Sequence, residues 1–264
     1  MAVSVSEDEI RGVVAGLKSR AALALPSNGS CVSGVVNSIN GATREPIFYI
    51  EWPSSVLTDS FNTCWCHALN RRPRPEFFAM HHADVLAQPG WLDLLIAEIE
   101  RTEAGVVAAA IAIKDTDGLT STAVLDPVTH RHRRITMREL VELPETFGVE
   151  DIPWAPKGAV LCTNTGLWAC RFGAWCEKIV FTIQDFITRS EDGMFRSSFW
   201  PEDWNFAVDC ARLGVRVLAT RKISIEHMGG FNFKNDRAWG KVREDDWHAT
   251  PPFRSAVESD RCRA

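Results

Sequence analysis

Four short apolar runs recur along the first 113 residues, at 21–25, 47–50, 77–80 and 106–113. Each has the length of a buried strand, and turn residues set them off, as in Pro26-Ser27-Asn28-Gly29-Ser30. Between them lie helix-like segments. One begins near Val32; one is capped by Asp59 or Ser60 and runs through Leu69; one spans 91–103 with apolar residues at 92, 95, 96 and 99. Strands and helices in alternation specify an α/β fold with a mostly parallel sheet flanked by helices.

The third run stops at His81-His82-Ala83-Asp84, and a helix start at Pro89-Gly90-Trp91 follows almost at once. A buried strand that ends in a carboxylate and a histidine is how α/β enzymes place a cation or a charged ligand. Neighbours on a strand face opposite ways, so His82 and Asp84 are expected to share a face that His81 does not.

The rest of the chain is less regular. Residues 140–156 hold three prolines and read as a loop. The basic cluster His130-Arg131-His132-Arg133-Arg134 reads as a solvated loop, with a diphosphate or a polyanionic acceptor as its functional alternative. Residues 184–199 are polar, contain Gly193 and read as a mobile segment. A strand at 159–162 leads to Asn164-Thr165-Gly166. Pro201-Glu202-Asp203 opens a helix with a broad apolar stripe, and strand-like segments at 215–219 and 223–225 lead to His227. Gly229, Gly230 and the segment to Trp247 read as a lid.

A hydrophobic fraction of 45% in 264 residues supports a sizeable core. The net charge of −5 and a pI of about 5.8 argue against broad nucleic-acid binding. The eight cysteines form no CxxC pair. Cys64-Trp65-Cys66-His67 falls on an expected helix, where residues two apart diverge, so buried free thiols are expected rather than zinc. The first nine residues lack the pattern of a signal peptide, and no apolar run approaches the ~20 residues of a membrane span. A cytoplasmic protein is expected.

The order of these elements over about residues 20–230 resembles the GT-A fold of nucleotide-sugar glycosyltransferases, in the family-2-like group. The resemblance implies one domain over 1–264. Its nucleotide-sugar-binding half covers about 20–113 and its acceptor and catalytic half about 114–230, with a tail or lid over 231–264. The family's DxD motif, which holds a divalent metal on the donor diphosphate, corresponds to His82-Ala83-Asp84, with histidine in place of the first aspartate. The implied metal is Mn²⁺ or Mg²⁺, held by Asp84, His82 and His227; His82 has the alternative of bonding the ribose or a phosphate. Glu202-Asp203-Trp204 matches the family's acidic motif, with Asp203 first and Glu202 second as general base; the other reading is that both acids cap the helix. Pro26 and Ser27 are implied at the nucleotide. So is Asn62, matching the family's Arg-Asn pair without the arginine. Asn164 and Gly166 are implied on the acceptor side. The implied reaction is metal-assisted, inverting transfer from a UDP- or GDP-sugar to a hydroxyl of a glycan, small molecule, protein or modified nucleobase. Two alternatives stand beside it: a sugar-nucleotide-binding GT-A module with weakened catalysis, and a metal-dependent phosphoesterase using His82, Asp84 and His227.

Overall fold

Strands that are apolar on both faces need cover on both. A computed structural model of the protein describes residues 19–129, 131–190, 192–229, 232–240 and 248–249. Its first strands are β1 (Ala21–Ser27), β2 (Ile47–Pro53), β3 (Phe77–His81), β4 (Val85–Ala87) and β5 (Val106–Ala109). Then come β6 (Leu119–Asp126), β7 (Arg131–Thr136), β8 (Thr146–Phe147), β9 (Val160–Cys162) and β10 (Leu167–Arg171). The later ones are β11 (Gln184–Arg189), β12 (Phe195–Trp200), β13 (Val217–Thr220), β14 (Ile225–Met228), β15 (Asn232–Lys234) and β16 (His248–Ala249). Helices are α1 (Ser33–Asn40), α2 (Leu57–Asn70), α3 (Trp91–Thr102), α4 (Met137–Glu142) and α5 (Glu202–Arg212).

The central sheet has seven strands in the order β2-β1-β3-β10-β5-β13-β8. β2, β1, β3, β5 and β13 run in one direction, and β10 and β8 run against it. The expected mostly parallel α/β sheet is therefore present. Strand alternation sorts the core into two layers. Ala21, Leu23, Phe77, Ala79, Val107 and Ala109 face α3, which contributes Trp91, Leu92, Leu95 and Ile99. Ala22, Ala24, Phe78, Met80, Val106 and Ala108 face α2 and α5. In this second layer Trp65 meets Phe78 at 4.7 Å between ring centroids, and Trp168 meets Phe206 at the same distance. Each ring buried in this way contributes about 1.5–3 kcal/mol, and the alanines of β1 and β5 leave room for the indoles.

Several expectations are corrected. α2 starts at Leu57 with Val56 as its N-cap residue; Ser60 does not cap it, because its hydroxyl donates to Trp52 O at 2.5 Å. The fourth strand is shorter than 106–113: β5 ends at Ala109, and the chain stays buried as far as a bridge from Ala112 to Thr120. Residues 140–156 contain the end of α4, whose start is fixed by a Thr136–Glu139 capping box, then β8 and a 3₁₀ turn. Residues 184–199 form most of the β11–β12 hairpin. The basic cluster is no solvated loop, because residues 131–136 are β7, paired with β6. Arg133 is buried: it ion-pairs with Glu139 at 2.5 Å and lies 3.9 Å from the ring centroid of Trp154. Of the expected lid, β15 pairs with β14, while residues 230, 231 and 241–247 lie outside the described residues, as do 250–264 of the expected tail. No helix among the described residues is long and apolar enough to cross a membrane.

The expected burial of the thiols holds for five of the seven described cysteines and fails for two. Cys64, Cys162, Cys170, Cys176 and Cys210 are buried, whereas Cys31 and Cys66 are exposed. Burial pushes the Cys64 thiol up to about 12. Thiol labelling of the native protein, mapped by peptide mass spectrometry, is expected to modify Cys31 and Cys66 while sparing these five until denaturant is added. Rapid native labelling of Cys170 would contradict this core.

Candidate functional site

Parallel strands leave their ligand-facing loops at their C-terminal ends. β1 ends at Ser27 and β3 at His81. Because β10 runs the other way, its first residue, Leu167, pairs with His81. This brings the turn at 164–166 against the turn at 82–84, and the His82 N–H donates to Gly166 O at 2.8 Å. Glycine suits this contact: a Cβ at Gly166 would lie 3.1 Å from Ile111 Cδ1 and 3.3 Å from Asn164 Oδ1.

Two cavities meet at His82. One, of about 290 Å³, is lined by Pro26, Ser27, Ser54, Ser55, His82 and Asp84 among others. The other, of about 150 Å³, is lined by His82, Asn164, Gly166, Glu202, Asp203 and His227 among others. The structure thus gathers the expected site residues, with the exception of Asn62. The Asn62 amide is clamped to the backbone of Phe181, donating to its O at 2.8 Å and accepting from its N at 2.9 Å; its role here is structural. The Asn164 amide is also committed, donating to Ala109 O at 2.6 Å and accepting from Gly166 N and Leu167 N, so it shapes the cavity wall. A larger cleft of about 590 Å³ lies between α1 and β2, lined by Glu45 and Glu51 but no lysine or arginine, and none of the expected site residues is there.

Strand alternation is not what brings His82 and Asp84 to one cavity. β3 ends at His81, and His82-Ala83-Asp84 forms a turn in which Val85 N donates to His82 O at 3.4 Å. His81 does point away: its ring lies 5.3 Å from that of Trp91, and its Nδ1 donates to His82 O at 2.8 Å. The His82 ring packs 5.2 Å from Phe61. Burial lowers both imidazoles to about 4, so both are neutral near pH 7.

Asp84 sits in a cationic setting the sequence reading missed. Lys114 Nζ ion-pairs with Asp84 Oδ2, and His227 Nε2 lies 3.6 Å from the same oxygen. His227 Nδ1 donates to Ala112 O at 2.8 Å, which turns Nε2 toward Asp84. β14 sets this register, with His227 opposite Val85 and Met228 N donating to Asp84 O at 2.8 Å. Burial alone would raise the Asp84 carboxyl, but His227 and Lys114 outweigh it and hold the group well below the usual carboxylate range. The available signal for Lys114 was its place just beyond the apolar run 106–113.

The residues present do not fit the expected Mn²⁺ or Mg²⁺. Such an ion needs several oxygen ligands, yet no group of three or more His, Cys, Asp or Glu among the described residues is placed to hold one. The Asp84 carboxylate already carries the Lys114 ammonium. His82 Nε2 is buried without a hydrogen-bond partner, on a ring packed against Phe61. The expected set of Asp84, His82 and His227 does not form such a group.

The acid pair lies across His82 from the first cavity. Glu202 Oε1 accepts from Thr165 Oγ1 at 3.1 Å, and Asp203 Oδ1 accepts from Trp204 N at 2.8 Å. The N-cap residue of α5 is Pro201, which makes no side-chain cap bond. Burial raises both carboxyls; the charge of Glu202 raises Asp203 further, and the nearby Arg134 guanidinium opposes it. Arg134 is held by donation to Thr120 O at 3.1 Å. A carboxyl raised by burial suits proton transfer near neutral pH.

No family model and no curated protein matches the chain. Among solved structures, the chain is similar in fold to the crystal structure of A197 from STIV. The TM-score is 0.52 at 15% identity, over 88% of this chain and 97% of that one. A crystal structure of a putative UDP-N-acetylglucosamine pyrophosphorylase from Entamoeba histolytica matches with a TM-score of 0.38 and 8% identity, over 79% of this chain and 78% of that one.

Two outcomes follow from this geometry. Since the acid pair titrates higher in the folded chain than in the unfolded one, the native state holds more protons above pH ~4, and the pair's contribution to stability falls as pH rises. Asp203→Asn is expected to raise Tm by about 2–4 °C at pH 8, the shift given by ~1 kcal/mol in a chain of this size, with little gain at pH 4. Thermal unfolding at both values checks it. Asn62→Ala is expected to cost about 1–3 kcal/mol in denaturant unfolding by orphaning the Phe181 backbone, without changing ligand affinity at the first cavity.

Proposed function

We propose that the protein is a GT-A-type glycosyltransferase that moves a sugar from a nucleotide-diphosphate sugar, UDP- or GDP-linked, to a hydroxyl acceptor. The observation that carries this reading is the meeting of two cavities at His82. One is lined by Pro26, Ser27 and further serines beside a fixed cation, and the other holds a buried acid pair. The first offers hydroxyls and a cation to a nucleotide and its diphosphate. The second offers a base to the acceptor. In this reading Asp203 accepts the acceptor's proton as its oxygen attacks the sugar's anomeric carbon, and Glu202, engaged by Thr165, keeps Asp203 proton-hungry. Because the acids and the first cavity lie on opposite sides of His82, the acceptor approaches the face away from the leaving group, and the sugar inverts.

A binding module without catalysis is the second reading, favoured by the histidine in place of the first DxD acid. The phosphoesterase reading loses support with its metal, since such sites depend on metal-held oxygens.

A panel of UDP- and GDP-sugars, followed by thermal shift and slow donor hydrolysis, tests the proposal. Stabilisation by at least one donor and turnover of it are expected. Asp203→Asn is expected to keep donor affinity and lose about 10²–10⁴-fold in rate. Stabilisation without turnover would leave the binding module. A protein that binds no nucleotide would end both readings.

A further inference from the structure

An ammonium occupies the position where the GT-A resemblance implies a metal. The Lys114 stem passes over Gly229, where a Cβ would lie 3.0 Å from Lys114 Cδ and 3.4 Å from Cγ. A side chain at 229 would press on the lysine stem, which glycine leaves in place. The partner of Lys114 is equally fixed: Met228 N donates to Asp84 O, and His227 Nδ1 donates to Ala112 O two residues before the lysine. Three segments therefore lock together around this one cation: the turn after β3, the chain leaving β5, and β14.

Asp84, the partner of Lys114, lines the cavity of about 290 Å³, and the lining around it is built for an anion. Ser30 and Val32 precede α1, Ser54 and Ser55 precede α2, and all four line the cavity with Leu57, the first residue of α2. Val32 and Val56 stand at the N-cap positions with no side-chain cap bond. The first-turn amides of two helices are thus left without a side-chain acceptor, at the positive ends of both dipoles.

We propose that this cavity binds a nucleoside diphosphate without a divalent metal, with Lys114 as the cation that neutralises the diphosphate. The inference rests on the nucleotide-sugar reading above. In the transfer, the acceptor oxygen forms its bond to the anomeric carbon and its proton passes to Asp203. The bond from that carbon to the diphosphate oxygen breaks, and its electron pair stays on that oxygen. The departing nucleoside diphosphate gains one negative charge beside the Lys114 ammonium. Asp84 holds the ammonium in place before the donor arrives and is a positioning residue rather than a metal ligand.

The test is calorimetry with UDP and GDP on the full chain, first in EDTA and then with Mn²⁺. Equal affinity in both conditions is expected for the nucleotide that binds. Lys114→Gln is expected to weaken that diphosphate about tenfold, the loss of a charge-assisted contact, while the matching nucleoside, uridine or guanosine, binds as before. Lys114→Arg is expected to restore most of the loss, which a merely structural role would not produce. Binding that vanishes in EDTA and returns with Mn²⁺ overturns the inference, as does Lys114→Gln with unchanged affinity or with equal loss for nucleoside and diphosphate. The EDTA arm needs no variant, so it stands even if a substitution disturbs folding. If neither nucleotide binds with or without Mn²⁺, the nucleotide-sugar reading itself falls and takes this inference with it.

Discussion

The antiparallel placement of β10 between β3 and β5 is the constraint on which the site depends. A parallel strand there would bring its end, not its beginning, to the ligand edge of the sheet. Running backward, β10 brings the turn at 164–166 against the turn at 82–84, and the bond from His82 N to Gly166 O joins them. The two cavities share His82 as a wall for this reason. The strand is held by burial on both sides, with Trp168 against Trp65, Phe78 and Phe206 on one face and Leu167 and Ala169 in the other layer.

Charge is distributed in opposite ways on the two sides of that wall. On the first side Lys114 and His227 hold Asp84 as a carboxylate. On the second side burial disfavours charge on Glu202 and Asp203, and the charge of Glu202 adds to this at Asp203, where Arg134 gives partial relief. Groups whose environments push their protonation apart are a mark of working sites. The acid pair also lowers stability at neutral pH.

Much of this was legible from residue patterns. Runs such as 21–25 and 77–80 are apolar throughout because both faces of their strands are covered, and that property is readable locally. The ends of those strands were legible too, so Pro26, Ser27, His82 and Asp84 were placed at one edge. Asn62 was misread because its partner, the backbone of Phe181, is 119 residues away. The basic cluster was misread for a similar reason. Arginines look solvated in sequence, while Arg133 is buried against Trp154 and Glu139. Lys114 went unnoticed because a lysine after a strand is ordinary until its distant partner is known.

The sequence by itself determined the alternating α/β plan, the two-layer core and the residue types available at the strand ends, since periodicity and burial are local properties of the chain. Only the tertiary structure decided what the charges at those ends meet. The reversal of β10 put Glu202 and Asp203 across His82 from Asp84, and the pairing of β14 with β4 carried His227 to Asp84. Lys114, its stem passing over Gly229, reaches the same carboxylate. Such encounters depend on strand order and register across more than a hundred residues, which no local pattern encodes.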